Sequence, residues 1–201
     1  FTPREYTPIE EAEGTYGEAI AALLGVEPAR VVKTLVTVVD DRPTVAVVRG
    51  QCLGSGLELA AFCNWIFAAP DAVLGQPEIR FGLYAPAGSL WLVERIGRAQ
   101  AEKLCLGGHP LEAGEALEVG LVDHVAEEPA AAAASWFERS LLPQSAAALH
   151  HALRAMRLPL RDGFLRDLDE VERMYLRELM RTEDAREGIT AFLEKRPPVW
   201  K

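Results

Sequence analysis

Residues 44–64 read TVAVVRGQCLGSGLELAAFCN and hold the elements on which the fold turns. Thr44 to Val48 is nearly all Val and Ala, the composition of a strand buried on both faces. Arg49 to Gly56 is a small-residue loop, and Leu57 to Asn64 reads as a helix. Strand, glycine loop and helix in succession predict an α/β fold. Glycine allows close backbone approach and positive φ, and a helix start offers unpaired N–H groups at the positive end of its dipole. Such a place stabilises an anion, either a phosphate or an oxyanion.

Three familiar loops of this kind do not fit. A P-loop needs Lys after its second glycine, and no Lys follows Gly54 or Gly56. A dinucleotide fingerprint needs a third glycine where Leu59 stands. A nucleophile elbow needs glycines two residues to either side of Ser55, at the positions of Leu53 and Leu57. Taken alone, the loop reads as a tight turn that packs a helix on a sheet.

The surrounding chain of 201 residues suits one sizeable domain, or one domain with an appendage. With 49% hydrophobic and 25% charged residues it has the balance of a soluble globular protein. A net charge of -9 disfavours a broad grip on nucleic acid, which needs clustered Lys and Arg, but leaves room for a small basic pocket. Cys52, Cys63 and Cys105 show neither CxxC spacing nor a neighbouring His, so no metal is expected and they read as small buried residues in a reducing cytosol. No apolar run approaches the roughly 18 residues of a membrane span. No secretory signal opens the chain, and Phe1 in place of Met suggests a trimmed chain or one that begins earlier. A cytoplasmic protein is the expectation.

Before the decisive stretch, residues 1–30 carry acid-rich and Ala-rich helical signals, and Val31 to Val39 reads as a strand. After it, Trp65 to Ala69 reads as a short strand, and Asp71 to Gly75 leads into a loop at Gln76-Pro77-Glu78. From Ser89 the chain is mostly helical, with Ala130 to Ala134 starting one helix and Phe164 to Arg181 forming a long last one. Three regions follow: an atypical N-terminal segment over 1–41, a catalytic core over 42–128 and a helical region over 129–201.

Two carboxylates change the weight of the glycine loop. Glu58 lies in the first turn of an otherwise apolar helix, and Glu78 follows Gln76-Pro77 in a loop. Singly, each reads as a helix-start charge or a surface residue. Beside a backbone oxyanion site, together they form the set that adds water across a double bond conjugated to a carbonyl. One accepts a proton from water while the other, neutral, delivers one to carbon. Two neighbouring carboxylates in a low dielectric split their pKa values and so can divide these roles.

Residues 42–50, the run Leu53-Gly54-Ser55-Gly56-Leu57-Glu58-Leu59-Ala60, and residues 67–79 closely resemble the signature of the enoyl-CoA hydratase (crotonase) family. The likeness continues through Ile96-Gly97-Arg98, Leu106-Gly107-Gly108 and Gly120-Leu121-Val122 to Glu187-Gly188-Ile189 and Glu194-Lys195-Arg196. The resemblance implies a crotonase-like core, a ββα spiral, followed by a C-terminal helical trimerisation region. It implies an acyl-CoA thioester as substrate, no further cofactor, and a homotrimer or hexamer. By it Glu58 and Glu78 match the catalytic glutamates, and Ser55 matches the glycine whose N–H serves the oxyanion hole. Gly54, Gly56, Pro86 and Gly88 border the substrate by the same resemblance, which also brings Lys195 with Arg196 to the CoA phosphates; a solvated helix end is the equal alternative for those two. Ser55 departs from the family's run of three glycines, which is uncomfortable if that residue needs positive φ. Residues 81–89, Phe-Gly-Leu-Tyr-Ala-Pro-Ala-Gly-Ser, look more like the branch that hydrates cyclohexa-1,5-diene-1-carbonyl-CoA.

Residues 1–41 do not resemble the family's N-terminal half, the source of its other oxyanion donor, which therefore stands as atypical or missing. They are similar instead to the start of the YbaK-type aminoacyl-tRNA deacylases, a resemblance that gives Lys33 a central role. Two alternatives follow: a crotonase-fold protein that binds acyl-CoA without efficient turnover, and a deacylase acting through Lys33. A strand-edge charge is the plainer reading of Lys33. His109, His124, His150 and His151 have no triad or ligand spacing and read as surface or packing residues.

Overall fold

The computed structural model describes residues 42–201. Among them, two three-stranded sheets carry the core. In the first, β1 (Val45–Val48), β3 (Trp65–Ala68) and β6 (His124–Val125) run parallel in the order β1-β3-β6. In the second, β2 (Gln51–Leu53) pairs in parallel with β4 (Val73–Gly75), and β4 pairs antiparallel with β5 (Leu111–Glu112). Val45 faces Trp65 and Gln51 faces Val73, so each strand meets its counterpart one repeat later. The unit that repeats is strand, strand, helix: β1 and β2 lead into α1 (Ser55–Phe62), and β3 and β4 lead through a 3-10 turn (Pro77–Phe81) towards α2 (Pro86–Gly107). This is the expected ββα spiral.

Two readings of local structure change. Gln51–Leu53, taken as loop, is a strand, because its backbone finds β4 as partner; three residues between glycines carry no periodicity from which to foresee that. The predicted strand Thr44–Val48 buries Ala46 and Val48 fully but Val45 and Val47 only in part. Its outer side meets α4 (Pro129–Ser140), whose Trp136 lies 4.5 Å from the Trp65 ring.

The core forms where the spiral's small residues let helices approach the sheets. Leu57, Ala60 and Ala61 of α1 pack with Leu92, Ala101 and Leu104 of α2 and with Ala113 and Ala116 of α3 (Ala113–Glu118). Arg95 pins this packing by donating to the carbonyls of Leu121 and Cys63 at 2.9 and 3.0 Å and to Asp123 Oδ2 at 2.7 Å. The same Asp123 oxygen accepts the Ile66 N–H at 2.7 Å, so one ion pair ties α2 to β3. Within α2, Gly97 at φ 75° and ψ 156° breaks the helix into two pieces, a conformation open to glycine and strained for other residues.

The C-terminal region is helical, as expected, but its long helix is longer than the sequence suggests. It begins at Ala146, capped by Ser145 Oγ, and ends at Arg177 as α5, so the stretch from Phe164 is only its second half. Pro159 conceals the continuity, since proline more often ends a helix than sits inside one. A 3-10 turn (Leu179–Arg181) follows, and Thr182 caps α6 (Glu183–Leu193) by accepting the Ala185 N–H at 3.1 Å. Among the described residues no helix is long and apolar enough to cross a membrane.

Candidate active site

Glu58 owes its direction to its neighbours on α1. Leu57, Ala60 and Ala61 bury the core face of that helix, which turns the half-buried Glu58 towards the start of α2. There its Oε1 accepts the Gly88 N–H at 2.6 Å. Gly88 lies in the first turn of α2, after Pro86 at its opening, so this N–H has no acceptor within its own helix. This hydrogen bond fixes the direction of the Glu58 carboxyl group at the helix start.

Glu78 comes from the 3-10 turn, on the next repeat of the spiral. The Gly54 N–H donates to Gly75 O at 2.9 Å and staples the two loops together. The Glu78 carboxylate then lies over the glycine loop: a Cβ placed on Gly54 would come within 2.5 Å of Glu78 Oε1. Gln76, only 1% exposed, closes the cluster. With its amide nitrogen turned to the carboxylate it donates to the two oxygens of Glu78 at 2.9 and 3.2 Å. The same amide fills the space where a Gly88 side chain would sit, 2.8 Å from that Cβ position.

The two carboxylates therefore share one site in unlike surroundings. Burial raises the Glu78 pKa above the usual carboxylate range; its own backbone N–H opposes this, and the charge of Glu58 adds to it. One carboxylate is held by a helix start while the other favours its neutral, proton-bearing form. Unlike surroundings of this kind are what an acid/base pair requires. Cys105 reports the same field: burial first, then the charges of Glu78 and Glu58, push its thiol up to about 11. Tyr175, on α5, has its pKa raised by burial and then by Glu78.

The glycine loop leads into a helix start with N–H groups to spare. Glu58 N–H makes the first α1 hydrogen bond, to Gly54 O at 3.0 Å, so the N–H groups of Ser55, Gly56 and Leu57 have no acceptor within the helix. Ser55 is exposed at the head of α1. The positive φ of the loop falls on Gly54, at 58°, and not on Ser55, so a serine here carries no backbone strain. Gly56 faces open space, with nothing within 4 Å of a Cβ built on it.

Lys195 stands apart from this cluster, exposed at the end of α6 with φ 55°. Its neighbour Arg196 is engaged within the chain, bridging Glu187 at 2.5 and 2.9 Å and Glu194 at 2.6 Å. Arg196 is therefore committed to a fold contact, whereas no ion pair of Lys195 is found among the described residues. Lys33 lies outside the described residues. The sequence did not single out Gln76, Cys105 or Tyr175. A buried amide before Pro77 looks like any loop amide, and the other two come from the far end of α2 and from α5.

Comparison with known proteins gives a consistent answer. Residues 27–201 match the family described as enoyl-CoA hydratase/isomerase, a match that begins ahead of residue 42. The chain is 43% identical over 199 residues to the cyclohexa-1,5-dienecarbonyl-CoA hydratase of Thauera aromatica, covering 95% of this chain and 77% of that protein. It is 39% identical over 168 residues to a probable enoyl-CoA hydratase of Bacillus subtilis, covering 80% of this chain and 63% of that one. Among solved structures, a carnitinyl-CoA hydratase from Mycobacterium avium matches with a TM-score of 0.70 and 34% identity, over 80% of this chain and 63% of the other. An enoyl-CoA hydratase from Mycobacterium avium subsp. paratuberculosis matches at 0.71 and 28%, over 80% and 66%. The chain thus spans just under two thirds of the length of these last three relatives.

Proposed function

The chain belongs to the enoyl-CoA hydratase/isomerase family, and from that membership we propose that it adds water across the α,β double bond of an acyl-CoA thioester. One observation carries the reading: Glu58 and Glu78 share a site, one bound by a helix-start N–H and the other driven towards its neutral form. Glu58 takes a proton from water as the water oxygen bonds to the β-carbon. The π pair moves onto the thioester oxygen, giving an enolate that the Ser55 N–H receives. Glu78 then gives its proton to the α-carbon, and the proton left on Glu58 returns to Glu78 through solvent. Gln76 keeps the Glu78 carboxyl in place over the glycine loop. No cofactor is consumed, since coenzyme A arrives as part of the substrate.

Gly54, Gly56, Pro86 and Gly88 border the acyl group, and the exposed Lys195 is free to meet the CoA phosphates. The preferred substrate in this reading is the cyclic dienoyl thioester cyclohexa-1,5-diene-1-carbonyl-CoA. The segment 81–89 and the 43% identity to a hydratase of that name support it. The free cysteines suit a reducing compartment, the cytoplasm. Assembly as a trimer or a pair of trimers would cover the apolar side chains that α5 leaves exposed.

Loss of the conjugated thioester absorbance, followed with both crotonyl-CoA and the cyclic dienoyl-CoA, tests this directly. Hydration of the cyclic ester with the higher kcat/KM is expected. Far faster hydration of crotonyl-CoA would defeat the substrate choice. Binding of both esters without turnover would defeat the hydratase reading and leave an acyl-CoA-binding protein.

A further inference from the structure

Beside Glu78 stands an aromatic pair that the acid/base chemistry does not use. Tyr84 lies in the short link between the turn that carries Glu78 and the helix start that holds Glu58. Leu83 N–H, next to it, donates to Glu78 O at 3.1 Å, so this link is tied to the turn itself. The Tyr84 ring meets Tyr175 edge to face, with centroids 5.3 Å apart and planes at 81°. Its hydroxyl donates to Val171 O of α5 at 2.7 Å, which fixes the ring from its far end. Tyr175 arrives from α5, half-buried, and lies within reach of the Glu78 charge. Among the described residues its hydroxyl makes no hydrogen bond, so its ring is held by packing against Tyr84.

Two rings brought from separate elements to the flank of the proton donor make a rigid π surface. Proton transfer to an α-carbon needs no such surface, and a short alkyl chain gains only dispersion contacts from it. A flat unsaturated ring gains offset or edge contacts as well and loses little freedom on binding. We propose that Tyr84 and Tyr175 form the wall that recognises the acyl group, selecting a planar cyclic acyl thioester over a short linear one. This rests on the hydratase reading only in taking an acyl-CoA as the ligand.

Calorimetric titration of the full chain with benzoyl-CoA, a planar ester, and with butyryl-CoA measures the selection without requiring turnover. The wild type is expected to bind benzoyl-CoA about tenfold more tightly, near the upper range for one aromatic contact. Tyr175→Phe keeps the preference, while Tyr175→Ala brings the two esters within about twofold. Should the alanine variant fail to fold, Tyr175→Leu removes the π surface and retains volume, with the same expected loss. Equal binding by the wild type overturns the proposal, as does a preference that survives both Ala and Leu. Parallel weakening of both esters also overturns it, since it marks a purely structural role. A wild type that binds both esters but hydrates neither crotonyl-CoA nor the cyclic dienoyl-CoA counts against the hydratase reading and not against the wall. Binding of neither ester counts against both.

Discussion

At the scale of single residues, Glu78 sets function against stability. Its pKa is raised in the folded chain by burial, so the fold binds its proton more tightly than the unfolded chain does. Stability from this group is therefore full below the ordinary carboxylate pKa and is lost as pH rises through the raised value. Glu78→Gln, which cannot ionise, should raise the thermal midpoint relative to wild type at pH 8 and change it little at pH 4. A thermal melt at the two pH values checks this, and an equal effect at both would show that burial is not what holds the proton. The pair itself was visible in the sequence as two acids near a glycine loop. Its asymmetry was not, because it arises from the Gly88 N–H and the Gln76 amide, whose positions depend on folding. Ser55 shows the opposite case: the expected discomfort of a serine disappears because the chain puts its left-handed residue one position earlier, at Gly54.

At the scale of elements, the turn bearing Glu78 is gripped from behind by α6. Gly188 packs so closely on Phe81 that an added Cβ would run into the Phe81 carbonyl, and the Phe81 and Phe192 rings meet at 4.7 Å. A backbone carbonyl inside a short turn cannot move aside as a side-chain tip can. Gly188→Ala should therefore cost roughly 3 kcal/mol, at the upper end for overpacking, and should lower kcat by shifting the turn. Chemical denaturation together with initial rates measures both; an unchanged midpoint would mean that α6 is not the brace. This docking explains the Glu187-Gly188-Ile189 likeness, which the sequence shows as a motif without a mechanism. The ends of α5 were less legible. Periodicity reveals an apolar face from Phe164 onward, while the turns before it are not assigned to the same helix although the helix begins at Ala146.

At the scale of the whole molecule, the spiral was legible only through the family resemblance of residues 42–79 and their sequel, because the two strand-strand-helix units share no repeated sequence from which pairing could be read. What stayed hidden was β2, which exists only through its pairing with β4. The long helix, about 48 Å by its rise per residue, exposes Met156, Leu158, Met174 and Leu176. Such side chains favour burial against further copies. Light scattering after size exclusion should give three or six chains, and a stable monomer would contradict the assembly proposed above. The central claim, that Glu58 and Glu78 divide one proton-transfer cycle, is tested most directly by kcat for hydration in Glu58→Gln, Glu78→Gln and the double variant. Each single change is predicted to lower kcat by about 10³ with substrate still bound, and the double variant to lie within about tenfold of either, as for groups acting as a unit. A single variant that stays within tenfold of the wild type would contradict the account.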